Sequence, residues 1–265
     1  MKNVKIYTLY SGSSGNSTFI RVGESAILID AGRNAKALRN ALAEIGEDIS
    51  AINAIFITHE HSDHISALEV ISKKNDIPIY MTSQSAIKIP NSSPVRAHLC
   101  ERSILFSEDI GEMHISSFQT SHDSLMSVGY KIEYNDDDGA HAIGYATDTG
   151  YISDGIRSVL LGCEAVVLEC NHDIDMLMRG PYTPDLKRRV ASRRGHLSNV
   201  DCADFSLELV KSGTRGILLA HLSRENNDPV IAFDTVSNAI SGFDVSLAIA
   251  EPFAPTELVI PKKEG

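Results

Sequence analysis

Two sheets packed face to face and covered by helices, an α/β architecture, are predicted for this chain by three features of its sequence. Short apolar stretches of strand character recur from one end to the other, and in the second half they alternate with stretches of helical spacing. No Pro-, Gly- or Ser-rich linker divides them, so 1–265 reads as a single domain. So many strands with interleaved helices are best buried as stacked sheets under helical layers. Taken in order, residues 4–9, 18–22 and 26–29 are β-rich and separated by Gly- and Ser-containing turns. Residues 35–45 have helical spacing and stop at Gly46, a C-cap candidate. Residues 54–57 form a short apolar strand, and helical spacing resumes at His64 with Ile65, Leu68 and Ile71. Strands follow at 77–81, 115–120, 128–134 and 142–146, with Asp136-Asp137-Asp138-Gly139 as a hairpin turn. A helix near 152–161, a strand at 165–169, a helix near 200–210, a strand at 216–220, a helix near 229–240 and a strand at 245–250 complete the series.

Composition narrows the class. With 43% hydrophobic and 22% charged residues, a core is within reach and disorder is not indicated. No apolar run approaches the ~20 residues needed to span a bilayer, so no membrane partner is expected. The N-terminal stretch runs straight into a strand and lacks the apolar core of a signal peptide, so a cytoplasmic location is expected. Cys100, Cys163, Cys170 and Cys202 form no C-x-x-C pair and read as packing residues. A net charge of −11 argues against a protein coated in positive charge for non-specific nucleic-acid binding. A nucleic-acid enzyme with a local basic patch stays possible. Lys187, Arg188, Arg189, Arg193 and Arg194 make such a patch, which also reads as a solvated helix face. Nothing in the sequence identifies a protein partner.

The informative stretch is Thr58-His59-Glu60-His61-Ser62-Asp63-His64. A buried apolar strand stops there and delivers three histidines and a carboxylate. His59 and His61 lie two apart, so on extended chain their rings point the same way. Asp63 and His64 come as the chain turns into a helix. Imidazole and carboxylate suit Zn²⁺, Mn²⁺ and Fe²⁺ alike, so spacing alone does not choose the metal. Three further strands end in the same manner, delivering His122, Asp148 and His221. Strand exits are where sites collect in layered α/β proteins.

This His-x-His-x-Asp-His motif after a strand resembles the signature of the metallo-β-lactamase fold, an αββα four-layer sandwich with metal ligands at one sheet edge. The similarity runs from Asp30 (in Leu28-Ile29-Asp30-Ala31-Gly32) to His221. It implies that His59, His61 and His122 hold one divalent metal and that Asp63, His64 and His221 hold a second, with Asp148 bridging. Asp30 would buttress a ligand without touching metal. The fold hosts lactamases, thioesterases, oxidoreductases and nucleases, so it does not fix the substrate. Asp63 completes the two-metal set of phosphodiesterase members. Gly129-Tyr130 after His122, and Gly195-His196-Leu197-Ser198 ahead of His221, are similar to elements of the tRNA 3′-processing branch. By that likeness His196 would contact the scissile phosphate; otherwise it simply begins a helix.

Only 25 residues separate His122 from Asp148, too few for a tRNA-binding arm, and 47 separate Asp148 from His196, too few for the large inserted domain of CPSF-type RNA nucleases. What remains resembles the compact WalJ/YycJ-type group of bacterial DNA 5′-3′ exonucleases. The matching elements include Ser11-Gly12-Ser13-Ser14-Gly15-Asn16, Thr120-Ser121-His122-Asp123-Ser124, Glu169-Cys170-Asn171-His172-Asp173 and His221-Leu222-Ser223-Arg224. The resemblance implies a binuclear phosphodiesterase using two Zn²⁺ or Mn²⁺ ions and a metal-activated hydroxide, with DNA as partner. Asp63 would ligate metal, or orient the attacking water and accept its proton. The loop with Ser13, Ser14 and Asn16 would cradle a phosphate, or be a turn only. Arg193 and Arg194 would grip the polyanion. Two rivals stand beside this: a lactam or thioester hydrolase, and a regulatory protein without turnover. His98, His114 and His141 are read as surface residues, and His172 is left unassigned.

Overall fold

The computed structural model describes residues 2–261; Met1 and residues 262–265 lie outside the described residues. The chain begins with the strands β1 (Val4–Tyr10), β2 (Ser17–Val22) and β3 (Ser25–Ile29), then α1 (Ala35–Glu44) and β4 (Ala54–Phe56). Short helices α2 (Ser62–Ile65) and α3 (Leu68–Ser72) precede β5 (Ile79–Thr82), α4 (Ser83–Ala86) and β6 (Leu99–Arg102). A run of antiparallel strands follows: β7 (Ser107–Ile110), β8 (Met113–Gln119), β9 (Val128–Asp136) and β10 (Gly139–Ala146). The last third alternates: α5 (Asp154–Leu160), β11 (Ala165–Glu169), α6 (Ile174–Arg179), α7 (Pro184–Val190), α8 (Asn199–Lys211), β12 (Gly216–Ala220), α9 (Pro229–Ala239), β13 (Ser246–Ile249) and β14 (Thr256–Glu257).

Among the described residues these strands make two seven-stranded sheets, ordered β14-β1-β2-β3-β4-β5-β6 and β13-β12-β11-β10-β9-β8-β7. Alternate strand residues face opposite ways, which splits the apolar side chains into three layers. Ile27, Ile29 and Phe56 of the first sheet meet Ile115, Tyr130 and Val167 of the second in the central core. Leu28 and Ile55 point outward under α1 and α3. Val166 and Ile217 do the same under α5, α8 and α9. The result is the αββα sandwich that the sequence led us to expect.

Within each sheet one half is parallel: β3 through β6, and β10 through β13. The carboxyl ends of those strands gather at one edge of the sandwich, where the loops carrying His59–His64, Asp148, Glu169 and His221 emerge.

Several elements depart from expectation. The helix expected from His64 begins at Ser62 and breaks into α2 and α3, because the Ala67 amide donates to the Ala31 carbonyl (2.9 Å) as the chain turns. Strands β6, β7 and β14 and helix α4 were not anticipated, nor were α6 and α7 given bounds, although the basic run that lies partly in α7 also reads as a helix face. β6 and β7 are outer strands with charged, half-exposed side chains and little apolar signal. The helix near 35–45 ends as expected, with Gly46 at φ 74°. Two histidines read as surface residues are half-buried instead. His98 pairs with Asp76, and His141 is held between Asp136 and Glu164; each ring is drawn in by a carboxylate. His114 is exposed. All four cysteines are free, and three of them are buried.

Candidate metal centre

β3 and β4 run side by side and stop together. Asp30 leaves β3 in the left-handed region (φ 62°), where its Oδ1 accepts the Thr58 amide at 2.8 Å. Its Oδ2 lies 2.7 Å from His64 Nδ1, and the Thr58 hydroxyl donates to the same carboxylate. This fixes the His64 tautomer and turns Nε2 outward. His59 Nδ1 lies 3.0 Å from the Thr58 hydroxyl, and His59 Nε2 lies 3.0 Å from His61 Nδ1. Tyr130, from the Gly-Tyr element, donates to the Ile57 carbonyl at 2.6 Å and ties the second sheet to this turn.

The second sheet supplies the rest. Asp148 and His221 also leave their strands in the left-handed region (φ 57° and 59°), a conformation costly for residues with a Cβ. Asp148 Oδ2 lies 3.5 Å from His64 Nε2, and Oδ1 lies 3.7 Å from His122 Nε2 and 3.6 Å from His221 Nε2. His122 Nδ1 is 3.2 Å from the Gly195 carbonyl. Glu169, at the end of β11, sits under the cluster. Its Oε1 accepts from Nδ1 of both His196 and His221 at 2.8 Å, and Oε2 accepts the Thr149 and Leu197 amides.

Three donor sets result, each with its ligand atoms within 4.8 Å of one another: His59, His61 and His122; Asp63, His64 and His221; and His59, His64 and Asp148. A fourth joins Asp148, Glu169, His196 and His221. Asp148 Oδ2 and His221 Nε2 are buried without a hydrogen-bond partner among the described residues. Buried acceptors are normally satisfied. Two unsatisfied ones facing a cluster of imidazoles fit a divalent cation, which takes lone pairs and carries the charge the carboxylates lack.

The electrostatics point the same way. Burial opposes ionisation of Glu169, yet the His196 and His221 rings hold it well below the usual carboxylate range. Burial likewise opposes Asp63, but its hydrogen bond to His64 and that ring's charge hold it low. Burial and the surrounding imidazoles push His59 well down. Burial works against protonated His221 too, but Asp148 and Glu169 raise it to about 9, so this end of the pocket favours a positive charge, which a metal ion would supply in place of the proton.

The other anticipated residues lie around this cluster. Ser13 and Ser14 are exposed on the loop between β1 and β2. Asn16 is buried: its Oδ1 accepts the Gly12 amide, and its Nδ2 lies 3.3 Å from Asp63 Oδ2 and 3.1 Å from His64 Nε2. Arg194 reaches the His122 carbonyl at 3.4 Å, and the Arg193 guanidinium lies 3.8 Å over the Tyr151 ring. Within the basic run, Arg189 pairs with Asp123 and Arg188 with Asp185, so part of its charge is spent locally. His172 is buried and pairs through its backbone with Ser198.

Glu169 is a residue of the cluster to which sequence reasoning, naming it only within a matching element, gave no role. Its signal was available: a carboxylate ending an all-apolar strand. Asp123, 3.1 Å from His122 Nε2, was also missed as a neighbour of the cluster.

A four-layer sandwich with histidines and carboxylates gathered at the carboxyl ends of its parallel strands has the architecture of the metallo-β-lactamase class. Residues 25–221 match the model of the β-lactamase superfamily domain. The exodeoxyribonuclease WalJ of Streptococcus pneumoniae serotype 2 (strain D39) is 33% identical over 249 residues, spanning 92% of this chain and 91% of that protein. The exodeoxyribonuclease YycJ of Bacillus anthracis is 34% identical over 263 residues, 94% of this chain and 96% of that protein. The chain belongs to the β-lactamase superfamily and, within it, to the WalJ/YycJ group. The metallo-β-lactamase fold protein YhfI from Bacillus subtilis shares the fold, with a TM-score of 0.70 at 16% identity over 96% of this chain and 98% of that one.

Proposed function

We propose that this protein is a binuclear-metal phosphodiesterase that removes nucleotides from DNA in the 5′-3′ direction. The observation that carries the reading is the convergence of His59, His61, Asp63, His64, His122 and His221 around Asp148, whose Oδ2 is buried with no hydrogen-bond partner among the described residues. The names of the WalJ and YycJ relatives support nucleic acid as the substrate and DNA over RNA.

His59, His61 and His122 would hold one divalent ion, Asp63, His64 and His221 a second, and Asp148 would bridge the two; Zn²⁺ and Mn²⁺ both suit this donor set. Such ions make water ionise near neutral pH and polarise phosphoryl oxygens. The protein's own part is to orient and to offset charge. Asp30 and Glu169 fix the tautomers of His64 and His221, so that Nε2 of each faces the centre. Glu169 also accepts a hydrogen bond from His196 Nδ1, which orients that ring so that the Nε2–H of its imidazolium form would donate to a phosphoryl oxygen. Asp63, one-fifth exposed at the rim, is placed to accept a proton from water. Asn16 positions Asp63 and His64, and Ser13 and Ser14 offer hydroxyls and amides to a phosphate. Arg193 and Arg194 neutralise the backbone.

Single-stranded DNA labelled at either end, incubated with protein reconstituted with Mn²⁺ or Zn²⁺, tests the proposal. Mononucleotides should leave from the 5′ end, and His61→Ala and Asp148→Ala should each lower the rate by at least about 10³-fold, the scale of losing metal charge stabilisation. No cleavage of DNA with either metal would overturn it.

A further inference from the structure

Four non-glycine residues among those described adopt the left-handed backbone region. Three are Asp30, Asp148 and His221, at the centre itself. The fourth is Arg33 (φ 54°). A residue with a Cβ persists there only where its surroundings hold it, and such strain gathers at functional positions. Its guanidinium lies 5.5 Å from the centroid of the buried Tyr10 ring and 4.9 Å from that of Phe253. Arg224 lies 5.3 Å from the same Phe253 ring, which is 49% exposed. Neither arginine has a carboxylate partner among the described residues, although the chain carries a net charge of −11. Two guanidinium groups without a carboxylate partner thus stand beside a half-exposed aromatic ring on an otherwise acidic protein.

The cluster is tied to the centre. Arg33 follows Asp30 by three residues, and Arg224 follows His221 by three. The Ser13-Ser14 loop is anchored to both segments. Gly15 packs so tightly on Arg33 that a Cβ there would meet the Arg33 Cγ at 2.1 Å, and the Ser11 hydroxyl accepts the His221 amide at 2.7 Å. Arg193 and Tyr151 make a second guanidinium–aromatic stack, joined through Ser121 to the His122 segment. An aromatic face takes any unpaired base, and guanidinium takes phosphate.

We propose that Arg33, Phe253 and Arg224 form a strand-binding subsite that holds an unpaired nucleotide of the DNA beside the metal centre, its base stacked on Phe253 and its phosphates on the two guanidinium groups. The proposal rests on the nuclease reading for the identity of the ligand.

Binding and cleavage are read separately in the test. Metal-reconstituted protein is titrated into a fluorescent phosphorothioate single strand and followed by anisotropy across a salt series. Arg33→Ala with Arg224→Ala should raise Kd at least about tenfold and make the log–log salt slope shallower by about 1.4, about 0.7 per lost phosphate contact. Phe253→Ala should raise Kd about tenfold, and Phe253→Tyr should restore it. Urea unfolding of each variant separates these effects from misfolding. An unchanged Kd and salt slope in the double arginine variant would overturn the subsite, even if the wild-type protein degrades DNA. Weakened binding in a protein that cleaves no DNA would keep the subsite and sink the nuclease reading.

Discussion

Strand β11 is flanked by two carboxylates, Glu164 just before it and Glu169 at its end, and the two do opposite work. At the far edge of the sandwich Glu164 accepts from the Tyr134 hydroxyl and from Arg215, while His141 bridges Glu164 and Asp136 with its two ring nitrogens. That network closes on itself; its one buried unpartnered atom is the Arg215 Nε, a donor. At the near edge Glu169 also gathers two histidines, but those rings turn a nitrogen away from it. There His221 Nε2 and Asp148 Oδ2 are buried acceptors without partners. Both clusters are charged and histidine-containing, the far one half-buried and the near one buried. What separates a site from a structural polar network is which atoms the network leaves unsatisfied.

Glu169→Gln gives the sharpest break of that contrast. Removing the charge behind His196 and His221 should lower metal affinity or activity about 10- to 100-fold, the usual scale for partners that orient metal-binding histidines. Metal titration together with kcat on labelled DNA would read it, and wild-type metal affinity and rate would show that Glu169 only fills space. Glu164→Gln should behave differently. Loss of hydrogen bonds to a charged acceptor should cost about 1–3 kcal/mol of stability in urea unfolding. Metal content should stay as in the wild type, and a change in it would join the two ends of β11 functionally.

The smallest effect concerns pH. Hydrogen bonds to Glu164 above all, and to Asp136, raise the His141 pKa above its ordinary value. A group whose folded value is raised contributes stability that is full below the unfolded pKa of ~6.5 and is lost as pH rises through the folded value. The stability difference between wild type and His141→Asn, at most about 1 kcal/mol, should therefore shrink on going from mildly acid to alkaline pH. A difference that grows with pH would mean that the neutral ring is the one the fold prefers.

Much of this molecule was legible in its sequence because apolar periodicity and strand exits are local signals. β11 and β12 have the expected limits, since Ala165-Val166-Val167-Leu168 and Gly216-Ile217-Leu218-Leu219 are buried on both faces and read as unbroken apolar runs. β6 and β7 were invisible because an outer strand with Glu101, Arg102, Glu108 and Asp109 looks like loop. His59, His61 and His64 announced themselves by spacing, whereas Glu169 was given no role of its own because a single acid at a strand end is common.

The sequence by itself determined the layered architecture, the apolar cores and the family, since those rest on patterns repeated along the chain. Only the tertiary structure decided that Asp148 lies among histidines from four other segments, and that Glu169 serves two of them at once. It also decided that Arg33 and Arg224 meet at Phe253. Those contacts join residues dozens to hundreds of positions apart, and their distances are set by how two twisted sheets stack, which no local spacing records.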